Sequence, residues 1–149
     1  MKKLLYPILI LLLVTGVQAQ SNSEGAIKVF SDELTDSWKQ LSIIDGLIFS
    51  AKSDQCANAT DRVLIKIENT TDRRFMIEWE LVEKWTMPQG LDSVSVENRD
   101  VFLSKSEVIE GTCDVNSDYY YLLSFGLKTG YSVLKEFTFS NLKITEYEN

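Results

Sequence analysis

Apolar and polar residues alternate along two neighbouring stretches in the middle of the chain. Val63, Ile65 and Ile67 alternate with Arg62, Leu64, Lys66 and Glu68, and Phe75, Ile77, Trp79 and Leu81 alternate with Met76, Glu78, Glu80 and Val82. A period of two puts successive side chains on opposite faces of a strand, so each run reads as a half-buried β-strand with its odd-numbered residues inward. The polar NTTDR between them reads as a hairpin loop in which Asn69 and Asp72 bond nearby backbone groups. In such a hairpin Arg62 and Lys66 would face Glu78 or Glu80 across the outer surface.

Most other elements also read as strands. SIIDGLIFSAK places Asp45-Gly46 between two apolar runs, a strong signal for a two-residue hairpin turn. TMPQG supplies a turn with Pro88 and Gly90, and short apolar runs follow at Val94–Val96, Val101–Leu103 and Val108–Ile109. YYYLLSFGL and EFTFSNLKITEY are expected to be the last long strands. In the latter the apolar positions switch from odd (Phe137, Phe139) to even (Leu142, Ile144), which predicts a β-bulge near Ser140-Asn141. One segment, SDELTDSWKQL, has helical spacing of Leu34, Trp38 and Leu41, with Ser31 as the expected N-cap. The pattern therefore predicts an all-β domain, an antiparallel two-sheet sandwich of about seven to nine strands, immunoglobulin-like in the broad sense, with one short N-terminal helix. A true immunoglobulin framework does not fit, because Trp79 lies far past Cys56 and Gly111, not tyrosine, stands two residues before Cys113.

The first residues change the picture of where this domain works. MKKLLYPILILLLVTGVQAQ has a basic start at Lys2 and Lys3, an apolar core and small residues at Val17 and Ala19, the pattern of a signal peptide cut after Ala19. Its apolar run of about a dozen residues is too short to span a hydrocarbon core of ~30 Å. The expected organisation is a signal peptide over 1–19 and a single domain over 20–149, secreted or periplasmic, with no transmembrane segment in the mature chain.

Charge bears on partners. The formal net charge is −7, and loss of Lys2 and Lys3 with the leader would make it −9. Such a surface repels phosphate backbones, so nucleic acid is not an expected partner; a cationic protein would be favoured electrostatically, but the preferred reading is that the excess carboxylates keep an exported domain soluble. Cys56 and Cys113 are the only cysteines, and in an oxidising compartment they are expected to form a disulfide closing a loop of about 58 residues. The minority reading, a redox thiol pair, lacks CxxC spacing and a histidine to activate a thiolate.

The chain contains no histidine, which removes Ser-His-Asp and Cys-His catalysis and every histidine-bearing zinc site. No phosphate loop or nucleophile elbow is present, so no cofactor and no metal are expected. Glu78, Glu80 and Glu83 are the remaining acid–base resource, but they lie along one strand and do not face each other across a cleft. DVNSDY spaces Asp114, Asn116 and Asp118 like a calcium loop, yet Tyr119 and Phe125 stand where glycine and glutamate are needed, and a solvated turn is the preferred reading. Trp85, Tyr119 and Tyr121 are the candidate ligand-binding residues, an aromatic platform that could stack on sugar rings. The sequons at Asn58 and Asn69 are read as incidental.

In order along the chain, WKQL, DGLIFSAKSDQC, RVLIKIENTTDRRFMIEWEL, EGTC and FTFSNLKI resemble a group of small exported proteins of Bacteroidota-type bacteria with no characterised function. The resemblance covers most of the mature chain and implies a secreted β-sandwich. That group carries further cysteines after the central stretch, where this chain has WTMPQG, and no activity comes with the resemblance. The expectation is an exported, non-enzymatic binding or structural domain. Its alternatives are a carbohydrate-binding module or an acidic inhibitor or adaptor of a cationic protein, and last a carboxylate-dependent hydrolase.

Overall fold

The computed structural model describes residues 26–56 and 61–148; the leader and Asn58 lie outside the described residues. Two antiparallel sheets pack face to face. The strands are β1 (Ile27–Phe30), β2 (Lys39–Ile44), β3 (Leu47–Gln55), β4 (Asp61–Asn69), β5 (Phe75–Thr86), β6 (Asp92–Leu103), β7 (Val108–Glu110), β8 (Ser124–Gly126), β9 (Lys128–Thr129) and β10 (Ser132–Glu146), with one short helix, α1 (Asp118–Leu122). Sheet I runs β1-β10-β5-β6, with β9 also on β10; sheet II runs β2-β3-β4-β7, with β8 also on β4. Ten described strands exceed the expected seven to nine because β8 and β9 are too short to show a period in the sequence.

The inward stripe is as the alternation predicts: Val63, Ile65 and Ile67 of β4 and Phe75, Ile77, Trp79 and Leu81 of β5 are all buried. Their pairing is not. β4 and β5 lie in different sheets, so NTTDR is an arch that carries the chain from one sheet to the other, and no hairpin forms. Asn69 builds that arch. Its side-chain amide donates to the carbonyls of Arg73 and Ser104, each at 2.7 Å, and its carbonyl oxygen accepts from the Thr71 N–H and hydroxyl. A period of two tells which face is buried but not which strand lies alongside, and both facing sheets of a sandwich bury odd residues equally well. The expected pairs of Arg62 and Lys66 with Glu78 or Glu80 are accordingly absent: Lys143 binds Glu78 at 2.7 Å, and Lys66 opposes Glu110 in sheet II.

Turn chemistry reads through correctly. Asp45 and Gly46 both take positive φ (52° and 80°) in the β2–β3 hairpin, and Pro88–Gly90 forms a single 3-10 turn between β5 and β6. The runs at Val94–Val96 and Val101–Leu103 are parts of one strand, β6. The predicted bulge is present, with a register shift between Ser140 and Lys143 and Asn141 at φ 50°. A second shift between Leu134 and Glu136 moves Leu134 and Phe137 onto the same inner face. At the centre, the Phe139 ring lies 6.0 Å from Phe49 across the sandwich and 6.0 Å from Trp79 alongside.

Two expectations are overturned. SDELTDSWKQL is not a helix: only Ser31–Glu33 make a 3-10 turn, Phe30 and not Ser31 caps it, and β2 begins at Lys39. The Ser31 hydroxyl donates instead to the Leu134 carbonyl of β10 at 2.6 Å. A helix of about three turns is marginal in water, so tertiary strand pairing overrides its propensity. YYYLLSFGL is not one strand either, because Ser117 accepts from the Tyr119 N–H and starts α1 before β8 begins.

Gly111 marks the point where α1 leaves the sheet. Its N–H donates to the Ile65 carbonyl at 2.7 Å, and the Ile65 N–H donates to the Leu123 carbonyl at 2.8 Å, so the chain departs and returns at one residue of β4. A Cβ at Gly111 would run into the Leu123 carbonyl and lie 3.2 Å from the Ile65 nitrogen. Those groups are backbone in a bonded ladder and cannot yield. Gly111→Ala is expected to cost about 1–3 kcal/mol in a denaturant melt, as overpacking does, and an unchanged midpoint would refute the close approach. The disulfide sits just beyond, with Cys113 bonded to Cys56 at the end of β3 and their Cα atoms 5.4 Å apart.

Candidate functional site

The register of sheet I lays out its solvent face row by row. Because odd-numbered residues of β5 point inward, the even-numbered ones meet solvent, and their partners on β10, β1 and β6 follow. One row reads Phe30, Glu136, Lys84 and Val94, and the next Lys28, Thr138, Val82 and Val96. Glu136 is held in the first by Lys28 at 2.9 Å and Lys84 at 3.1 Å. The hydrogen bond from Lys28, then that from Lys84, lowers its carboxyl below the usual range and outweighs the opposing effect of burial.

Towards the other end the face turns acidic. Glu80 lies between Ser140 and Asn98, and Glu78 between Lys143 and Asp100. The β10 bulge opens a shallow cleft of about 280 Å³ here, lined by Glu78, Trp79, Glu80, Asn98, Arg99, Asp100, Asn141 and Lys143, with the Arg99 guanidinium turned to the Leu122 carbonyl and Glu97. Lys143 neutralises Glu78, while Glu80 and Asp100 have no ion-pair partner among the described residues. Glu83 accepts from the Trp85 indole N–H at 3.2 Å and from the Ser95 hydroxyl at 2.9 Å, so it supports the hairpin. The carboxylates thus line one side of an open cleft, which suits binding of a cationic group. Among the described residues no cluster of histidine, cysteine or acidic side chains could hold a metal ion.

The aromatic candidates are not assembled into a platform. Trp85 packs partly against the core at the end of β5 in sheet I, whereas Tyr119 and Tyr121 are on α1, which adjoins β8 of sheet II. Tyr119 also packs against the core, and Tyr121 alone is open, 72% exposed, with Tyr120 edge-on at 4.8 Å. DVNSDY forms a turn: Asp114 accepts from the backbone and side-chain amides of Asn116, and Asp118 sits in the first turn of α1. Asn69 is 1% exposed with its amide spent in the arch, so that sequon offers no accessible nitrogen.

Sequence reasoning missed a second cluster, on the outer face of sheet II. The Trp38 ring receives Lys66 Nζ at 4.9 Å and Lys52 Nζ at 5.2 Å, and the Arg62 guanidinium stacks on Tyr120 at 4.1 Å. Arg62 also donates to the Ser124 and Tyr120 hydroxyls. The members come from β3, β4, β8, α1 and the segment before β2, so only cross-strand register would have revealed the grouping; Leu64, an outward residue that is nonetheless buried, is its trace. These cations rest against aromatic rings, and Glu68 and Glu110 on the same face have no ion-pair partner among the described residues. Among the described residues, no helix is long and apolar enough to cross a membrane. No protein-family model, curated protein or solved structure matches the chain.

Proposed function

We propose that this chain is an exported, non-enzymatic binding domain whose partner is a cationic protein, held on the solvent face of sheet I. The observation that carries the reading is the concentration on that face of open carboxylates, Glu80 and Asp100, beside the exposed apolar residues Val94 and Val96. Carboxylates beside apolar contacts are what a basic partner complements, and the net charge of −7 would speed its approach. Export is supported by the leader pattern and by the disulfide, which persists in an oxidising compartment. A non-catalytic role is supported by the carboxylate arrangement, since acid–base hydrolysis needs two carboxyls opposed across the substrate.

The test is a pull-down from the envelope fraction of the source organism. A basic protein should be retained at low salt and shed as salt rises, since the Debye length falls from about 10 Å at 0.1 M to about 3 Å at 1 M. The doubly substituted Glu80→Gln, Asp100→Asn chain should retain about tenfold less of it, the loss of roughly 1.4 kcal/mol of binding. Nucleic acid retained at moderate salt would overturn the reading. So would turnover of glycosides or esters that Glu78→Gln or Glu80→Gln abolishes. Exposed Tyr121 beside Tyr120 favours a second reading, glycan binding, which would prevail if Tyr121→Ala abolished glycan retention in a chain that still folds.

A further inference from the structure

The register of the β5–β6 hairpin shows which backbone groups of β6 are already used. In an antiparallel pair, opposed residues alternate between exchanging both backbone hydrogen bonds and exchanging none. The Met87 N–H donates to the Leu91 carbonyl at 2.7 Å, and the same pairing continues without a shift from Thr86–Asp92 to Phe75–Leu103. Trp85–Ser93, Glu83–Ser95 and the further odd-numbered pairs are therefore the bonded ones. The opposite side of β5 agrees, because the Tyr147 N–H donates to the Arg74 carbonyl and so turns the even-numbered residues of β5 towards β10. It follows that the even-numbered residues of β6 direct their N–H and C=O groups away from β5. β6 ends the order of sheet I, so among the described residues these groups form an open row from Asp92 to Phe102.

Folded proteins blunt so long an edge with proline, a bulge, a charge or a covering loop. β6 contains no proline and no register shift, and Val94, Val96 and Phe102 beside the edge are 58%, 59% and 55% exposed. Of its charges, Arg99 donates to the Leu122 carbonyl at 2.7 Å and to Glu97 at 2.6 Å, Asp92 pairs with Lys135 at 3.7 Å, and Asp100 bars an acidic strand but admits a basic one. We infer that the β6 edge takes up an extended basic segment of a partner protein as an added strand, an inference that rests on the binding-domain reading above. The open row bonds the segment's backbone, and Val94 and Val96 pack its apolar residues. The unpaired Asp100 meets a lysine or arginine on the same face, and Asp92, already paired with Lys135, adds negative charge at the other end. Charge selects this occupant over a second copy, which would set those carboxylates against carboxylates in a chain of net charge −7.

The test uses the full chain and two synthetic peptides of roughly nine residues, each with threonine at every second position and, on the other face, central valines flanked by lysines in one peptide and by glutamates in the other. At saturation the lysine peptide should slow amide exchange at Val94, Val96 and Asn98 by about tenfold or more, and the glutamate peptide should not. Val96→Pro removes an outward N–H and no bond to β5, so it should weaken lysine-peptide binding about tenfold with the unfolding midpoint kept. Asp100→Lys, which leaves the row intact, should weaken it as well. Equal protection by both peptides, or binding that neither variant weakens, overturns the inference. Protection that rises with protein concentration alone, with a dimer in sedimentation, overturns it in favour of a second copy. An envelope partner lost by the Glu80→Gln, Asp100→Asn chain but kept by Val96→Pro sinks strand addition and leaves the binding-domain reading standing.

Discussion

Trp79→Ala is expected to lower unfolding free energy by about 3–5 kcal/mol, out of the ~5–15 kcal/mol that stabilises a typical domain. Trp79 is 3% exposed and its ring lies 6.0 Å from Phe139, which also faces Phe49 of the other sheet, so truncation opens a cavity where the sheets interlock. Its indole N–H is the one buried side-chain polar group among the described residues without a hydrogen-bond partner. Trp79→Phe removes that unsatisfied donor while keeping an aromatic ring, and its cost should stay under about 1.5 kcal/mol, because relief of about 1–3 kcal/mol offsets the lost volume. Glu78→Gln, on the solvent face, should change stability by no more than about 1 kcal/mol, the usual size of an exposed pair such as Glu78–Lys143. Denaturant melts with a common m-value decide the matter. A stable Trp79→Ala beside a collapsed Glu78→Gln would mean that the wrong face of β5 has been taken as buried.

The second large effect is expected at the disulfide. The chain-entropy cost of closing a loop between cysteines 57 residues apart comes to about 4 kcal/mol. The doubly substituted Cys56→Ser, Cys113→Ser chain should therefore lose about that much stability, a fall in Tm on the order of 10–20 °C. The structure adds where the loss begins. Cys113 lies at the start of the excursion that leaves β4 at Gly111, carries α1 and returns at Leu123, and Cys56 ties it to the end of β3. Amide exchange at Leu123, whose N–H donates to the Tyr119 carbonyl, should accelerate in the variant before the core strands do. A variant within about 1 kcal/mol of the parent, with Leu123 equally protected, would show that the sheets alone hold the excursion in place.

Much of this architecture is legible in the residues themselves. Alternation along Phe75–Leu81 declares the buried face of β5, Asp45-Gly46 declares a turn with two positive φ angles, and the parity change between Phe139 and Leu142 declares the bulge at Asn141. Each is a local signal, carried by neighbours within a few positions of one another. The misreadings are of another kind. Leu34, Trp38 and Leu41 fall at helical spacing, yet Leu34 is buried in the core while Trp38 covers lysines outside sheet II, so one apparent stripe serves two surfaces. Trp85, Tyr119 and Tyr121 are placed apart for the same reason, because residue type does not say that Trp85 joins β5 of sheet I while the tyrosines form α1.

What the sequence determined by itself is therefore the all-β class, the inward stripe, the tight turns, the late bulge and the cysteine pair, since these follow from backbone period, turn stereochemistry and the small number of cysteines. Only the tertiary structure decided that β4 and β5 part into separate sheets, that α1 interrupts the edge of β4, and that β6 ends sheet I with its even-numbered backbone groups open. Pairing partners are chosen by contacts between residues far apart in the chain. Strand neighbours such as Ile27 and Phe139, or Phe75 and Glu146, leave no mark on the residues around them. The solvent face of sheet I is assembled from four such strands, so its mix of carboxylates and valines exists only once the register is set.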